Sequence, residues 1–416
     1  MEMKEILRHA FSKPICDNCL GRIFAQLLTG FSNAERGRIL RAVGAFLLET
    51  GEIDQNEVEI SNFRNFKFNY RKELNEAVKR AKAKKCHFCG NLFEHLDHIA
   101  KRIAKKLANY EFSNFLVGTK ASREMIEREE ELWKLTGIEY CEPIKAELNR
   151  EIGKRVAEIL KKEHELRKPE MVILLDWERG KPKITILPRS LYVFGYYQKL
   201  VRGIPQCRWG TPGKYRTSVE QIIGKPLLRA AKGRDTKFHG CGREDVDARC
   251  LAWRPFVIEI ISPKRRRIDL RKIAGEINST KGVRVKGLRI VDKEWVEKIK
   301  SAAPDKTYRA VVVLGKPVSE KELRKLKKLI GVINQRTPER VLHRRADKLR
   351  KREVKKISWK ILSPNKIELT IKTSAGLYVK ELVSGDNGRT SPSVAEILGT
   401  EARVEELDVI GIGRIR

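Results

Sequence analysis

The sequence predicts an α+β fold in which a mixed, largely antiparallel sheet forms the C-terminal part of the chain. Three observations lead to this prediction. Apolar residues recur at helical spacing in the first part of the chain, short apolar runs between turn residues dominate after about Ser190, and two Cys-x-x-Cys pairs lie near the N-terminus. Strands interspersed with isolated helices are typical of α+β domains.

The changes of apolar period divide the chain into three segments. Its 416 residues are enough for two or three domains. We expect a helical module over 1–91, an α/β region over 92–188, and a strand-rich domain over 189–416.

The first two segments contain helical patterns. In the first segment the apolar residues with this spacing are Leu20, Ile23, Phe24, Leu27 and Leu28, and then Ile39, Val43, Phe46 and Leu47. In the second segment, helices are expected over 98–107 and 144–160. Two strands are expected to follow them, over 171–175 and 184–187.

The third segment is predicted to be rich in strands. The expected strands are 256–261, 283–290, 310–314, 357–362 and 367–371. One helix among them is marked by a capping box from Ser319 to Glu322. Its apolar stripe is expected to consist of Leu323, Leu326 and Ile330.

The balance of charge points to a polyanionic partner. The chain carries 88 Lys and Arg against 54 Asp and Glu, a formal net charge of +34 at pH 7. A charged thermophilic surface would explain the charged content but not this basic excess, so we expect nucleic acid as the partner. No apolar run approaches the roughly 18 residues that span a bilayer, and the N-terminus has no secretory segment. We therefore expect a soluble, cytoplasmic protein without a membrane partner.

Two cysteine pairs predict a metal site. Cys16 and Cys19 form one Cys-x-x-Cys pair, and Cys86 and Cys89 form another. Each spacing lets two thiolates bind one ion from a tight turn, and two pairs complete a tetrahedral site. Four thiolates leave no open position, so we expect structural zinc. Two independent redox pairs or a coincidental spacing are the alternatives, and the neighbouring His87 fits less well than Cys89.

The most informative stretch is 240–249, Gly-Cys-Gly-Arg-Glu-Asp-Val-Asp-Ala-Arg. It places Asp245 and Asp247 in a glycine-started, charge-dense turn shortly before the apolar run at 255–261. An acidic residue in a loop is usually a solvated turn residue. A carboxylate is also a group that can attack a sugar carbon, or remove a sugar proton, without a cofactor.

This stretch resembles the catalytic aspartate motif of pseudouridine synthases, and its Glu-Asp-Val-Asp form is similar to the archaeal and eukaryotic tRNA enzymes of the Pus-ten family. The resemblance implies a cofactor-free conversion of uridine to pseudouridine in the T-arm of tRNA, at positions 54 and 55. It also implies that 92–188 is a THUMP-like RNA-binding region. The Gly-Arg-x-Asp spacing favours Asp245 as the catalytic group, although Asp247 would face the same side of an extended chain.

A second segment, 376–382, resembles the motif in which these synthases carry a tyrosine on a strand near the aspartate and a basic residue two positions later. The resemblance implies that Tyr378 stacks on the target uracil and takes part in proton transfer. Lys380 is expected to pair with Asp245 and to hold it ionised and oriented. Without the aspartate motif, a core tyrosine and an exposed lysine would be the simpler interpretation.

Two basic segments, 197–209 and 335–352, resemble the RNA-gripping loops of the family, where cations meet phosphates and planar groups stack on bases. Arg243, within the aspartate motif, is a further candidate for a phosphate contact. The predicted RNA contacts are Lys199, Arg202, Arg208, Arg243, Arg336, Arg340, Arg344 and Arg345. For both segments, solvated basic residues on a turn or a helix are the alternative.

The chain is expected to need no organic cofactor. No Walker loop is present, and no Gly-x-Gly turn follows a predicted strand, which also disfavours a methyltransferase that shares the THUMP-like region. No obligate protein partner is predicted. The alternative function is a non-catalytic tRNA- or ribosome-binding protein with a zinc module, in which Asp245 is a structural turn residue.

Overall fold

The computed structural model describes residues 2–179, 181–208 and 214–415. They form two compact units, Met1–Arg189 and Ser190–Arg416. The segment boundaries at residues 91 and 188 stay predictions. Among the helices within the described ranges, none combines the length and the apolar composition needed to cross a membrane.

The first unit is mainly helical and carries one small sheet. Its helices are α1 (Met3–Phe11), α2 (Asp17–Gly21), α3 (Asn33–Thr50), α4 (Lys72–Arg80), α5 (Leu96–Leu107), α6 (Arg123–Thr136) and α7 (Ile144–Leu160). Its strands are β1 (Asn114–Lys120), β2 (Glu163–His164), β3 (Met171–Arg179) and β4 (Lys181–Pro188). The strand order is β2-β1-β3-β4, with β1 parallel to β2 and β3, and β4 antiparallel to β3.

Two apolar clusters stabilise this unit. The first lies among α1 to α4 and includes Phe11, Phe63 and Phe88. The second lies among α5, α7 and the sheet, and includes Phe115 and Trp177. The predicted helices over 98–107 and 144–160 and both predicted strands are confirmed.

Helix α3 forms as predicted but buries a different face. Ile39 and Phe46 are 46% and 67% exposed, whereas Leu40 and Leu48 are buried. The buried face also carries Gly44, where an added Cβ would lie 2.3 Å from the ring of Phe11. Apolar periodicity misses this face because a glycine that permits close packing has no apolar side chain. In the preceding stripe, Leu27 and Leu28 are likewise exposed.

The second unit is built on one large sheet. Its strands are β5 (Leu191–Lys199), β6 (Asp235–Gly240), β7 (Arg249–Ile261), β8 (Val283–Val291), β9 (Lys306–Leu314), β10 (Gly331–Gln335), β11 (Arg350–Ser363), β12 (Lys366–Thr373), β13 (Thr390–Ser391) and β14 (Ala402–Ile412). Its helices are α8 (Val219–Ala231), α9 (Leu270–Asn278), α10 (Glu294–Ser301), α11 (Glu320–Leu323), α12 (Val379–Ser384) and α13 (Val394–Leu398).

The large sheet is mixed and largely antiparallel, as predicted. Its strand order is β13-β10-β11-β12-β9-β14-β7-β5-β8, and β6 adds to β7. Within the described residues, the contact between β14 and β7 is parallel and the other pairings are antiparallel. Each of the predicted strands of this segment lies within one of these elements.

The capping box at Ser319 is confirmed, but the helix behind it is short. Helix α11 changes into a 3₁₀ helix over Arg324–Leu329. A 3₁₀ helix has three residues per turn, so Leu326 is followed on the same face by Leu329. Leu329 is accordingly buried, and the predicted Ile330 is 48% exposed.

The parallel contact between β7 and β14 is reinforced by a buried carboxylate. Asp408 on β14 is 2% exposed and accepts hydrogen bonds from Arg249 at 2.7 and 2.9 Å, Arg309 at 2.8 Å and Arg202 at 2.8 Å. Burial alone would raise its pKa, but the hydrogen bonds from Arg249 and Arg309 dominate and lower the pKa to about 2. Three arginines thus connect β7, β9 and the segment after β5 to one side chain of β14.

Candidate active site

Residues 241–248, here called the aspartate loop, connect β6 to β7 and are held by a buried lysine. Lys199 is fully buried, and its Nζ donates to the carbonyl oxygens of Ile204 (3.0 Å), Asp245 (3.0 Å) and Val246 (3.1 Å). Burial lowers the pKa of this ammonium. Its three N–H groups are used inside the protein, so the prediction that Lys199 contacts RNA is corrected.

A buried ion pair also supports the aspartate loop. Arg254 on β7 is 1% exposed, and its Nε lies 3.1 Å from Oε2 of Glu244. Its Nη1 donates to the Cys241 carbonyl at 2.8 Å, and the hydroxyl of Tyr197 donates to Glu244 at 3.0 Å. The backbone is therefore fixed both before and after Asp245, which orients that residue's side chain.

The two aspartates of the loop have different partners. The Nζ of Lys380 donates to Oδ2 of Asp247 at 2.6 Å and lies 3.6 Å from Oδ2 of Asp245. The predicted pairing of Lys380 with Asp245 is therefore the longer of its two ion pairs. A second cation, Arg340, places Nη2 3.3 Å from Oδ2 of Asp245. For Asp247, burial acts to raise the pKa, but the hydrogen bond and charge of Lys380, a backbone hydrogen bond and the charge of Arg340 together lower it.

Tyr378 lies at the start of a helix rather than on a strand. It is the N-cap residue of α12, and its backbone is fixed by Gln335, whose amide accepts from the Tyr378 N–H and donates to the Tyr378 carbonyl, both at 2.9 Å. Its hydroxyl accepts a hydrogen bond from Nη1 of Arg345 at 2.6 Å. Because α12 begins here, Tyr378 and Lys380 come from the same turn of chain.

Asp245, Tyr378 and Lys380 line one cavity of about 760 Å³. This volume is within the range of ligand pockets, roughly 300–1,000 Å³. Its acidic lining residues within the described chain are Glu244, Asp245 and Asp247. Its basic lining residues are Arg243, Arg254, Lys300, Lys306, Arg340, Arg345, Arg350, Arg352 and Lys380. This surplus of cations suits a ligand that carries phosphates.

Comparison with known proteins identifies the family. Residues 192–413 match the family model described as "Pus10, C-terminal", and residues 99–176 match "Pus10 THUMP domain, archaeal". A protein of Methanothrix thermoacetophila named tRNA pseudouridine synthase Pus10 is 40% identical over 97% of this chain and 92% of its own length. The chain belongs to the Pus10 family. The predicted membership of the Pus-ten family is thereby confirmed.

Further relatives agree with this assignment. Another tRNA pseudouridine synthase Pus10, from Methanopyrus kandleri, is 41% identical over 95% of this chain and 94% of its own length. Among solved structures, a Cbf5-Nop10-Gar1 complex matches with a TM-score of 0.33 and 16% identity, over 53% of this chain and 50% of that chain. The THUMP match falls inside the region predicted as THUMP-like.

The predicted RNA contacts of the first basic segment mostly have partners within the protein. Arg202 donates to the Asp247 and Leu407 carbonyls at 2.9 and 2.7 Å. Arg208 donates to Glu220 at 3.2 Å and to the Thr236 carbonyl at 2.6 Å. Their side chains keep 29% and 45% exposure, so a contact with RNA stays a prediction for both.

The second basic segment forms a loop over 336–349, here called the arginine loop. It runs from β10 to β11, and Arg340 and Arg345 reach from it to Asp245 and Tyr378. Arg336 is 56% exposed and pairs with Asp347 at 3.3 Å. The side chain of Arg344 lies outside the described part of the structure. Arg243, in the aspartate loop, is exposed and lines the cavity.

Sequence reasoning missed the residues that support the site from inside. Arg254, Lys306 and Tyr308 line the cavity, and burial raises the pKa of Tyr308 to about 12. Glu381, next to Lys380, is 4% exposed and accepts a hydrogen bond from Arg340 at 2.6 Å. One signal was available for Arg254, since an arginine directly before the buried run at 255–261 must find a partner.

The four predicted zinc ligands come together in the first unit. The sulfur atoms of Cys16, Cys19, Cys86 and Cys89 all lie within 4.8 Å of one another. Tetrahedral Zn–S bonds of about 2.3 Å would place the sulfurs roughly 3.8 Å apart, so the cluster is compatible with structural zinc. The ring of His87 instead lies 2.7 Å from Glu131.

Proposed function

We propose that this protein converts uridine to pseudouridine in tRNA, and that its targets are positions 54 and 55 of the T-arm. The observation that carries the proposal is the shared cavity, in which Asp245, held by buried contacts of its loop, lies with Tyr378 and a surplus of cations. The relatives named above are tRNA pseudouridine synthases. Since tRNA is the proposed substrate, we place the protein in the cytoplasm.

The reaction assigned to this site conserves every atom of the substrate. Asp245 attacks C1′ or removes the C2′ proton, the N1–C1′ bond breaks, and the freed uracil turns. On the first path C5 attacks C1′ and displaces the Asp245 carboxylate; on the second path C5 adds to C1′ and Asp245 returns the proton to C2′. On both paths the C5 proton then leaves and N1 gains a proton. Because the product is an isomer, no oxidant, reductant or organic cofactor is consumed. We assign to Tyr378 the stacking on the turning base and the transfer of the proton.

Asp245 is a better candidate than Asp247 for the reacting carboxylate. Asp247 is held by Lys380 at 2.6 Å, and its side chain is 68% exposed, against 37% for Asp245. A partly desolvated carboxylate with a fixed backbone is better prepared for attack than an exposed one. Through its hydrogen bond to Asp247, Lys380 also stabilises the aspartate loop.

The proposed RNA contacts are exposed cations of the two loops. Arg243 and Arg345 line the cavity, and Arg336 is exposed on the arginine loop, so these three are suited to hold the phosphates on either side of a flipped uridine. Arg340 is bonded to Glu381 and Asp245, so its contact with RNA stays a prediction. We propose that Arg202 and Arg208 both stabilise the fold and contact RNA, because each is bonded within the protein. We assign none of the described residues to reading the T-arm sequence, so the proposed specificity rests on the resemblance to the family.

The decisive experiment uses the full chain and an unmodified tRNA transcript. After incubation, pseudouridine is mapped at nucleotide resolution. We expect it at positions 54 and 55, and a second transcript with both uridines replaced by cytidine should stay unmodified. Tight binding to the transcript without pseudouridine anywhere would favour a non-catalytic tRNA-binding protein.

We further propose that Cys16, Cys19, Cys86 and Cys89 hold one structural zinc per chain. A site of four thiolates stabilises the fold and offers no open position for substrate. The Cys16→Ser, Cys19→Ser double variant should lose the metal and lower the melting temperature of the first unit by several degrees, with isomerisation of saturating tRNA largely kept. Cys141→Ser, a partly exposed cysteine of the same unit outside the cluster, is the control. Metal analysis that finds no zinc in wild-type protein, purified without chelator and then offered zinc, would contradict this.

A further inference from the structure

Glu381 reaches the reacting carboxylate through one arginine. Its Oε1 accepts a hydrogen bond from Nε of Arg340 at 2.6 Å, and Nη2 of the same guanidinium lies 3.3 Å from Oδ2 of Asp245. A single arginine on the arginine loop therefore bridges a carboxylate of α12 and the carboxylate of the aspartate loop.

Arginine is the side chain that suits this bridge. Its guanidinium is planar and offers several N–H donors in a fixed arrangement, so once one edge is bound the direction of the others is set. Lysine carries its three donors on one nitrogen at the end of a flexible stem, so it cannot reproduce the two separate contacts that Nε and Nη2 of Arg340 make. The negative charges of Glu381 and Asp245 both act to raise the pKa of Arg340. This agrees with a guanidinium that is shared between the two carboxylates.

Glu381 is an unusual residue for this place. It is 4% exposed, and its second oxygen, Oε2, is buried without a hydrogen-bond partner among the described residues. A buried carboxylate is costly unless it is paired, and the pair it makes is with Arg340. It lies in the first turn of α12, the end of a helix that favours negative charge.

The other cation near Asp245 is less available to it. Lys380 lies 2.6 Å from Asp247 and 3.6 Å from Asp245. Arg340 is thus the closer of the two cations to Asp245, and Arg340 is itself directed by Glu381. The chain of contacts runs from a buried helix residue, through the arginine loop, to the proposed nucleophile.

We propose that Glu381 is a positioning residue of the isomerisation reaction: it fixes Arg340 so that one edge of the guanidinium orients the carboxylate of Asp245. The proposal rests on the function proposed above. It also assigns the arginine loop a part in the chemistry, because Arg340 of this loop lies 3.3 Å from Asp245. Without Glu381, the guanidinium turns to solvent or to an RNA phosphate.

The test is a double-mutant cycle in the full-length protein. Single-turnover rates at saturating tRNA transcript are measured for wild type, Glu381→Gln, Arg340→Met and the double variant, together with tRNA Kd and melting temperature. We expect Glu381→Gln to lower the rate by about tenfold or more while Kd stays within about twofold. If Glu381 acts through Arg340, adding Glu381→Gln to Arg340→Met lowers the rate no further.

Two further variants serve as a control and as a substitute for Glu381→Gln. Glu276→Gln removes the carboxylate from an exposed pair with Arg229 in the same unit, and it should leave the rate at the wild-type value. If Glu381→Gln fails to fold, Arg340→Lys keeps the charge and leaves Glu381 in place. We expect its rate to fall about as far as that of Glu381→Gln, since a single nitrogen cannot replace the separate contacts of Nε with Glu381 and of Nη2 with Asp245.

The outcomes separate this inference from the proposed function. A wild-type protein that forms no pseudouridine rejects both. An active wild type whose rate is unchanged by Glu381→Gln, or by Arg340→Lys, rejects the positioning role alone. Losses that multiply in the double variant, or that follow the melting temperature instead of the contact with Arg340, also reject it.

Discussion

The aspartate loop and the arginine loop line the same cavity, but they are held in different ways. The aspartate loop is fixed by buried groups that bind its backbone, among them Lys199 and Arg254. The arginine loop is anchored by the buried Thr337 near its base, while Arg336 and Arg340 remain about half exposed. The proposed reacting group is therefore on a loop fixed by buried contacts, and most of the proposed RNA contacts are on a loop with more exposed side chains.

The largest effect is expected at the centre of the aspartate loop. Asp245→Asn keeps the shape of the side chain and removes its charge, so it should lower the single-turnover rate roughly 10,000-fold or more. Affinity for tRNA should stay within a few-fold, because many cations supply binding. Rates from mapped pseudouridine and a filter-binding assay check both. Asp247→Asn is the matched control, and a loss confined to that variant would transfer the role to Asp247.

Tyr378 lines the cavity that the two loops share, and its hydroxyl is bonded to Arg345 of the arginine loop. Tyr378→Phe keeps a ring that stacks on the base and removes the hydroxyl. If the hydroxyl moves the C5 proton, the rate should fall by about 100-fold with little change in melting temperature. Arg345→Met separates the alternatives, because it removes the partner and keeps the hydroxyl. A near-normal rate for Tyr378→Phe would leave Tyr378 a stacking platform at most.

Lys199 is predicted to matter through folding of the aspartate loop. Lys199→Met keeps most of the length of the side chain but leaves the Asp245 and Val246 carbonyls without their donor. We expect a loss of about 2–4 kcal/mol in the free energy of unfolding, and about a tenfold lower rate in the protein that remains folded. Denaturant titration and single-turnover kinetics give the two values. If instead tRNA affinity falls while stability holds, Lys199 would be an RNA contact after all.

The sequence was informative where a pattern is local. The Asp245 and Tyr378 motifs, the two cysteine pairs and the capping box each lie within a few residues, and the structure brings the members of each together. The order of strands in the large sheet did not follow from periodicity. In particular, the parallel contact of β14 with β7 joins residues about 160 positions apart, such as Arg249 and Asp408.

Long-range polar contacts explain the corrections. Lys199 and Arg254 look like surface cations in a basic chain, and they become buried because carbonyls and a carboxylate from the aspartate loop fold over them. The sharing of Lys380 between two aspartates likewise depends on distances that only the folded chain sets. The buried face of α3 likewise depends on the folded chain, because Gly44 on that face packs against Phe11.

The smallest effect is expected on the arginine loop, the more exposed of the two loops, at Arg336. Arg336 pairs with Asp347, but Asp347 also binds Arg389 at 2.6 Å, so Arg336→Met should leave folding unchanged. If Arg336 contacts one phosphate, the variant should bind tRNA a few-fold more weakly, and the slope of log Kd against log salt should fall by about one. The single-turnover rate at saturating tRNA should stay near wild type, because Arg336 contacts no reacting group. Lys321→Met, on α11, is the control for general loss of charge. A large fall in that saturated rate would mean that the arginine loop shapes the cavity through Arg336 as well as through Arg340.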